Sequence, residues 1–348
     1  MKKSLENGNV QQAVEDSAMR TWSQAYTAVV EGKKAAGWLS GWLQQVVPVF
    51  GYLADGNIQT ETDGTAEVYL GTERETEITA EDDETLETVA ASIFSRVLPQ
   101  LTDFSYLLSN YYTVDADTVA DAELLDAEKL LAVDLSIEQD SSVPQILIYH
   151  THSQEAFADS VEGEVSDTVV GMGEILADEL RSYGYNVIHD TGVYDLVDGV
   201  LDRSAAYDYA RASVEAILEE NPTIEVIIDL HRDGVDGSEE DFVTEIDGYA
   251  TSKIMFFNGL SRNSDGEALS WLPNAYLMEN LAFSLQLQVL ANAEFPGFTR
   301  KIYLQAERYN LHLRARSLLI EAGTQLNTVE EERRAMAPIA DLIWQVLS

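Results

Sequence analysis

From Val143 to the end, short apolar runs alternate with stretches of helical periodicity, and no other feature restricts the fold as much. Gln145 to Tyr149 has the character of a short buried strand. Val169 to Tyr183 repeats apolar residues at helical spacing through Ile175, Leu176 and Leu180, with Gly184 placed as a C-terminal cap. Asn186 to His189 predicts a second strand, and Ser204 to Glu220 a second helix stopped by Asn221-Pro222. Ile224 to Leu230 predicts a third strand, Leu272 to Ala293 a long helix, Leu318 to Glu321 a buried strand and Val329 to Leu347 a closing helix. Such an order implies an α/β fold, a mostly parallel sheet flanked by helices.

The turn-like cluster Ser141-Ser142-Val143-Pro144 marks a boundary, so residues 143–348 are expected to form the main domain. Ahead of it lies a mainly helical or irregular acidic N-terminal region. Residues 55–142 are read as an acidic linker and helical region, with an amphipathic helix from Glu84 to Leu98 that Pro99 ends or kinks. Asp115 to Asp134 is a further acidic, Ala/Leu-rich stretch that can be helical. Residues 1–54 form a terminal segment whose one apolar stretch, Ala35 to Ala54, is interrupted by Gln44, Gln45, Pro48 and glycines. These interruptions favour an interfacial or packed helix over a membrane span. Ser4 to Arg20 is polar, which does not fit the apolar core of a signal peptide.

The chain carries 61 acidic against 21 basic residues, a formal charge of −40. Such an excess argues against nucleic acid as a partner and against adsorption to anionic lipid, both of which need a basic footprint. The ordinary role of the charge is a solvated, self-repelling surface, and a metal cation is compatible with it. With no cysteine, disulfides, thiol nucleophiles and Cys-based zinc sites are excluded, so a transition metal must be held by His, Asp, Glu and water.

Ligands of open α/β sheets bind outside the carboxyl ends of the strands. There the reactive side chains collect: His150-Thr151-His152-Ser153-Gln154-Glu155 after the first strand, Asp229-Leu230-His231-Arg232-Asp233-Gly234 after the third, and Glu321-Ala322-Gly323 in the late strand. Of five histidines in the chain, three fall in the first two of these segments. Two imidazoles and a carboxylate make a catalytic zinc site with a place left for water, and a second carboxylate is then needed to move protons. His152, Glu155 and His231 can supply the ligands and Glu321 the base. His150 lies two residues from His152, so in extended backbone it shares a side and can replace it as ligand or orient it. An acidic residue within Leu-Leu-Ile-Glu-Ala-Gly must be paired, protonated or functional. His189 and His312 are read as structural.

Tyr149-His150-Thr151-His152 with Glu155, then Ile227 to Gly234, then Arg308-Tyr309-Asn310, then Leu319 to Gly323 with Asn327-Thr328, resemble the SpoIIP family in that order. The resemblance implies a fold similar to zinc-dependent N-acetylmuramoyl-L-alanine amidases, with Zn2+ on His152, Glu155 and His231 and with Glu321 as the catalytic carboxylate. It implies cleavage of the amide between N-acetylmuramic acid and L-alanine of peptidoglycan stem peptides, with cross-link endopeptidase activity as a second capacity. It also implies work outside the membrane, at the septal wall, during engulfment in sporulation. A SpoIID-like lytic transglycosylase and a SpoIIM-like membrane protein are the partners it implies. Arg232 and Arg308 are candidate anchors for stem-peptide carboxylates, because guanidinium offers a bidentate fork.

Some features depart from the family pattern. Glu162, Glu164 and Asp167 compete with Glu155 for the carboxylate ligand, Tyr194 stands where a His is expected, and His312 where an acidic residue is expected. Two rivals remain at this level. An amidohydrolase-type barrel needs more His and Asp ligands than the chain offers, and a catalytically inactive wall-binding module gives no reason for Glu321.

Overall fold

The computed structural model describes residues 84–348, apart from 198, 204 and 238–241. The expected apolar helix at 35–54 and the acidic stretch up to residue 83 lie outside the described residues. Helix α1 (Glu84–Leu101) runs two residues past Pro99, and α2 (Phe104–Tyr111) starts on an Asp103 side chain that caps Ser105 and Tyr106. Strand β1 (Tyr112–Val114) follows, and of the acidic stretch after it only α3 (Ala127–Leu131) is α-helical. Leu101, Leu107, Leu130 and Leu135 are buried in the same core as the later elements. Residues 84–142 are thus packed into one unit with the rest rather than strung ahead of it.

Seven strands form the main sheet in the order β1, β10 (Ile302–Gln305), β9 (Ile254–Gly259), β11 (Arg316–Thr324), β6 (Val226–Asp233), β2 (Ile146–Tyr149), β3 (Val187–His189). All neighbours are parallel except β9 and β11. The sheet is therefore mostly parallel, as the strand–helix alternation implies, but it has a reversed half.

Alternation along the central strands decides which helix covers which face. Ile146, Ile148, Ile228, Leu230, Leu318 and Ile320 point into the larger core, under α4 (Val169–Ser182), α6 (Leu277–Glu294) and α7 (Val329–Leu347). Leu147, Tyr149 and Ile227 point the other way, against Ala210, Val214 and Leu218 of α5 (Ala206–Glu220). The odd-numbered positions Asp229, His231 and Glu321 continue this second face to the strand ends, and the site is built there. Two small ribbons, β4 (Leu196–Val197) with β5 (Val200–Leu201) and β7 (Val243–Ile246) with β8 (Tyr249–Ser252), lie outside the main sheet. No described helix is long and apolar enough to cross a membrane.

Candidate metal centre

Strand β2 stops at Tyr149 and the chain turns through residues 151–154. Two buried carboxylates fix this turn. Thr151 donates its N–H and its hydroxyl to Asp229, at 2.9 and 2.7 Å, while Ser153 Oγ and Gln154 N–H donate to Asp195 at 3.0 and 3.3 Å. His152 is held between these anchors, its ring edge-on to that of His231 with centroids 5.1 Å apart. Tyr207, from the first turn of α5, packs edge-on against His152 and lies nearly parallel to His231.

The turn also decides the position of His150. Since the chain leaves extended geometry after Tyr149, the period-two argument that put His150 beside His152 does not hold. His150 stays on the α4 face, where Nδ1 bonds the Leu230 carbonyl at 2.8 Å and Nε2 meets His189 Nε2 at 2.9 Å. His189 in turn bonds Glu174 at 2.7 Å. Burial pushes the His150 imidazole down to about 3, with the His189 ring adding to the effect. Both of its nitrogens are engaged away from the cluster, so the structure does not offer it as an alternative ligand.

His152, Glu155 and His231 do converge: one ligand atom from each lies within 4.8 Å of the others. Glu155 Oε1 is 3.6 Å from His152 Nδ1, and Oε2 is 3.4 Å from His231 Nδ1. Oε2 also accepts the Arg232 N–H at 3.0 Å. The far side of the His231 ring lies against Asp229, with Nε2 2.7 Å from Oδ1. That aims Nδ1 at Glu155, the arrangement by which a carboxylate orients a metal-binding imidazole. Glu162, Glu164 and Asp167 are not part of the cluster. Asp167 lies in a single 3-10 turn and accepts the Val161 N–H.

Electrostatics separate the carboxylates. Burial acts to raise Glu155, but its bonds to His152 and His231 outweigh that and hold the group well below the usual carboxylate range. Asp229 is likewise lowered, with His231 and Thr151 overcoming burial, and His231 is raised well above its ordinary value by the two carboxylates despite burial. Glu321 lies beside His231 in register across β11 and β6, and its Oε2 is shut from solvent with no hydrogen-bond partner. Burial pushes it up to about 8; the His231 charge opposes this, while Glu155, Asp233 and Asp229 reinforce it.

Two imidazoles, that of His231 buried and that of His152 partly so, and the buried Glu155 carboxylate form a donor set of the kind zinc takes, and His152 Nε2 and Glu321 Oε2 are polar atoms shut from solvent without protein partners. The residues present therefore fit a divalent metal. The candidate substrate anchors differ in setting. The Arg232 guanidinium is tied to the carbonyls of Ala156 and Asp233, whereas Arg308 bonds the Pro273 carbonyl at 2.8 Å and rests on a segment carrying the exposed Trp271.

Sequence reasoning assigned no role to Asp229, Asp195, Tyr207 or Arg203. Asp229 has a local signal, since it precedes His231 by two in a strand and must share its side. Arg203, whose Nη2 bonds Glu155 Oε1 and lies 3.1 Å from His152 Nδ1, has none.

An α/β protein with a His–Glu–His cluster and a partly buried carboxylate at the ends of its central strands is the class that these features define. The chain belongs to the Stage II sporulation protein P (SpoIIP) family, whose model matches residues 57–344. It is 26% identical over 217 residues to the Stage II sporulation protein P of Bacillus subtilis (strain 168), a match covering 58% of this chain and 50% of that protein. The matched part is thus about half the length of that relative. Among solved structures, the CwlD amidase from Clostridioides difficile in complex with the GerS lipoprotein is similar at 14% identity and TM-score 0.37, over 58% of this chain and 95% of that one. An N-acetylmuramoyl-L-alanine amidase from Clostridium difficile 630 is similar at 14% identity and TM-score 0.33, over 59% and 95%.

Proposed function

We propose that this chain is a zinc-dependent peptidoglycan hydrolase of sporulation, which cleaves the amide between N-acetylmuramic acid and the L-alanine of the stem peptide. The observation that carries this reading is the convergence of His152, Glu155 and His231 beside Glu321 in the adjacent strand. The setting proposed with it is septal peptidoglycan degradation during engulfment, outside the cytoplasmic membrane, alongside a SpoIID-like transglycosylase and a SpoIIM-like membrane protein; membership of a sporulation family supports the sporulation part of this reading.

His152, Glu155 and His231 would hold the metal, which supplies Lewis acidity at the scissile carbonyl. The remaining work falls to the protein. Asp229 and Thr151 fix the His231 ring and the turn bearing His152, so the ligand side chains need little rearrangement. Glu321, through its unpartnered Oε2 and in its ionised form, takes the proton of the attacking water and returns it to the leaving amine. Tyr207 and Tyr309 pack edge to face and shield that side of the site from solvent. Arg308 is the proposed anchor for a stem-peptide carboxylate, which its guanidinium fork suits.

The test is metal content and muropeptide release from purified sacculi by the full chain, with His231→Ala alongside. About one zinc per chain and new free stem peptides, both lost in the variant, are expected. Zinc without cleavage favours the wall-binding alternative, and neither zinc nor cleavage rejects the metal centre.

A further inference from the structure

A buried carboxylate is kept ionised only by compensating charge and donors. Glu155, at 4% side-chain exposure, has Arg232 N–H and His231 on Oε2, and on Oε1 the guanidinium of Arg203. The same Arg203 Nη2 stands 3.1 Å from His152 Nδ1. One cationic nitrogen therefore occupies the space between two of the three side chains that would bind a metal.

We propose that Arg203 is a resident counter-cation exchanged for the metal, so that apparent metal affinity is set by displacement of this arm. The proposal rests on the metal reading of the cluster.

Occupancy is mutually exclusive on chemical grounds. A guanidinium N–H seated on Glu155 Oε1 and His152 Nδ1 withholds those lone pairs from a divalent cation, and two cations crowded at one buried carboxylate repel. The arm-bound arrangement is also incomplete. With Nδ1 turned to Arg203, the other ring nitrogen of His152, Nε2, is buried and has no partner.

Exposure sets the direction of movement. The Arg203 side chain is 44% exposed, so it can swing into water with little loss, whereas buried Glu155 needs another cation the moment the arm leaves. The root of the arm is fixed. Asp202 N–H bonds the Asp195 carbonyl at 2.8 Å, and the Asp195 carboxylate grips Ser153 and Gln154 within the turn that carries His152. Exchange therefore needs side-chain rotation and leaves the backbone of the ligand turn in place.

Zinc affinity of the full-length protein, read by competition with a chromogenic chelator, tests this in wild type, Arg203→Gln and Arg203→Lys. If the arm is seated in about nine-tenths of metal-free molecules, Arg203→Gln binds zinc about tenfold more tightly, and Arg203→Lys falls between. The metal-free melting midpoint of Arg203→Gln should drop below wild type, while the zinc-saturated midpoints coincide. Equal or weaker zinc affinity in Arg203→Gln overturns the exchange and leaves the metal reading standing. No zinc binding by either wild type or variant overturns the metal reading, and the exchange with it.

Discussion

Glu332 offers a stability test independent of any ligand. It sits on the inner face of α7, wholly buried, with neither carboxyl oxygen hydrogen-bonded and the likewise unpartnered Ser252 hydroxyl close by. Its Oε2 fills the space where a Cβ at Gly323 would go, and Gly323 itself has a left-handed φ of 64°. Burial pushes Glu332 from its ordinary 4.5 up to about 8, so the folded protein holds a proton there that the unfolded chain gives up. Because the folded pKa is raised, its contribution is fully present below pH 4.5 and is lost as pH rises through 8. Each unit of separation is worth about 1.4 kcal/mol, so between pH 5 and pH 8 the cost to the folded state grows by roughly 3 kcal/mol. Glu332→Gln keeps the shape and removes the ionisation. Denaturant unfolding of both proteins across that pH range isolates the residue, since other titrating groups cancel in the difference. The variant should gain on wild type steadily with pH, becoming the more stable at pH 8. A stability difference that does not change with pH would show that Glu332 is not held protonated, and the reasoning would fail.

Three further outcomes follow from the site. His231→Ala should abolish zinc binding and, by leaving Asp229 and Glu155 buried without their shared cation, cost about 3 to 5 kcal/mol of stability, read by metal analysis and denaturant unfolding. Glu321→Gln should retain zinc stoichiometry while muropeptide release falls about 10²- to 10⁴-fold, and unchanged release would remove Glu321 from the chemistry. Gly173→Ala places a methyl 2.5 Å from His150 Nε2 and 2.7 Å from His189 Nε2, so it should destabilise the protein by about 1 to 3 kcal/mol; an unchanged melting midpoint would contradict the tight packing of that pair.

Much of the fold could be read before the structure was known, because the parallel half of the sheet announces itself locally. Strands β2, β3, β6 and β11 and helices α4, α5 and α7 fall within a few residues of the runs predicted for them. The reversed half was harder to see. Strand β9 is buried at every position and β10 is only four residues long, so neither shows a clear amphipathic period. The β7–β8 hairpin did carry a signal, Asp247-Gly248 between the strands, with both residues at positive φ. At the site, motif spacing placed His152, Glu155 and His231 in reach of one another. It misplaced His150, because the strand ends at Tyr149, before the stretch 150–152 that a period-two argument needs extended. Arg203 was invisible because its partner Glu155 lies 48 residues away and no local pattern links them.

The three acidic groups around His231 show why residue type alone could not assign roles. Asp229, Glu155 and Glu321 all crowd the same imidazole, and repulsion prevents equal ionisation unless donors separate them. Asp229 receives two hydrogen bonds from Thr151, and Glu155 receives the Arg232 N–H and the Arg203 guanidinium. Glu321 Oε2 receives none, so burial and its charged neighbours raise it. Donor supply thus sorts the trio into two permanent anions suited to binding or orienting a cation, and one group that can carry a proton. Supplying a donor to Glu321 should reverse that division. Met255 is its register partner in β9, and Met255→Gln would bring an amide within the same layer of the sheet. Wherever that amide bonds Oε2, the carboxyl should ionise at lower pH and the acidic limb of the pH–rate profile should shift downward. An unmoved acidic limb, with the amide bond established by structure, would mean that a group other than Glu321 carries the proton.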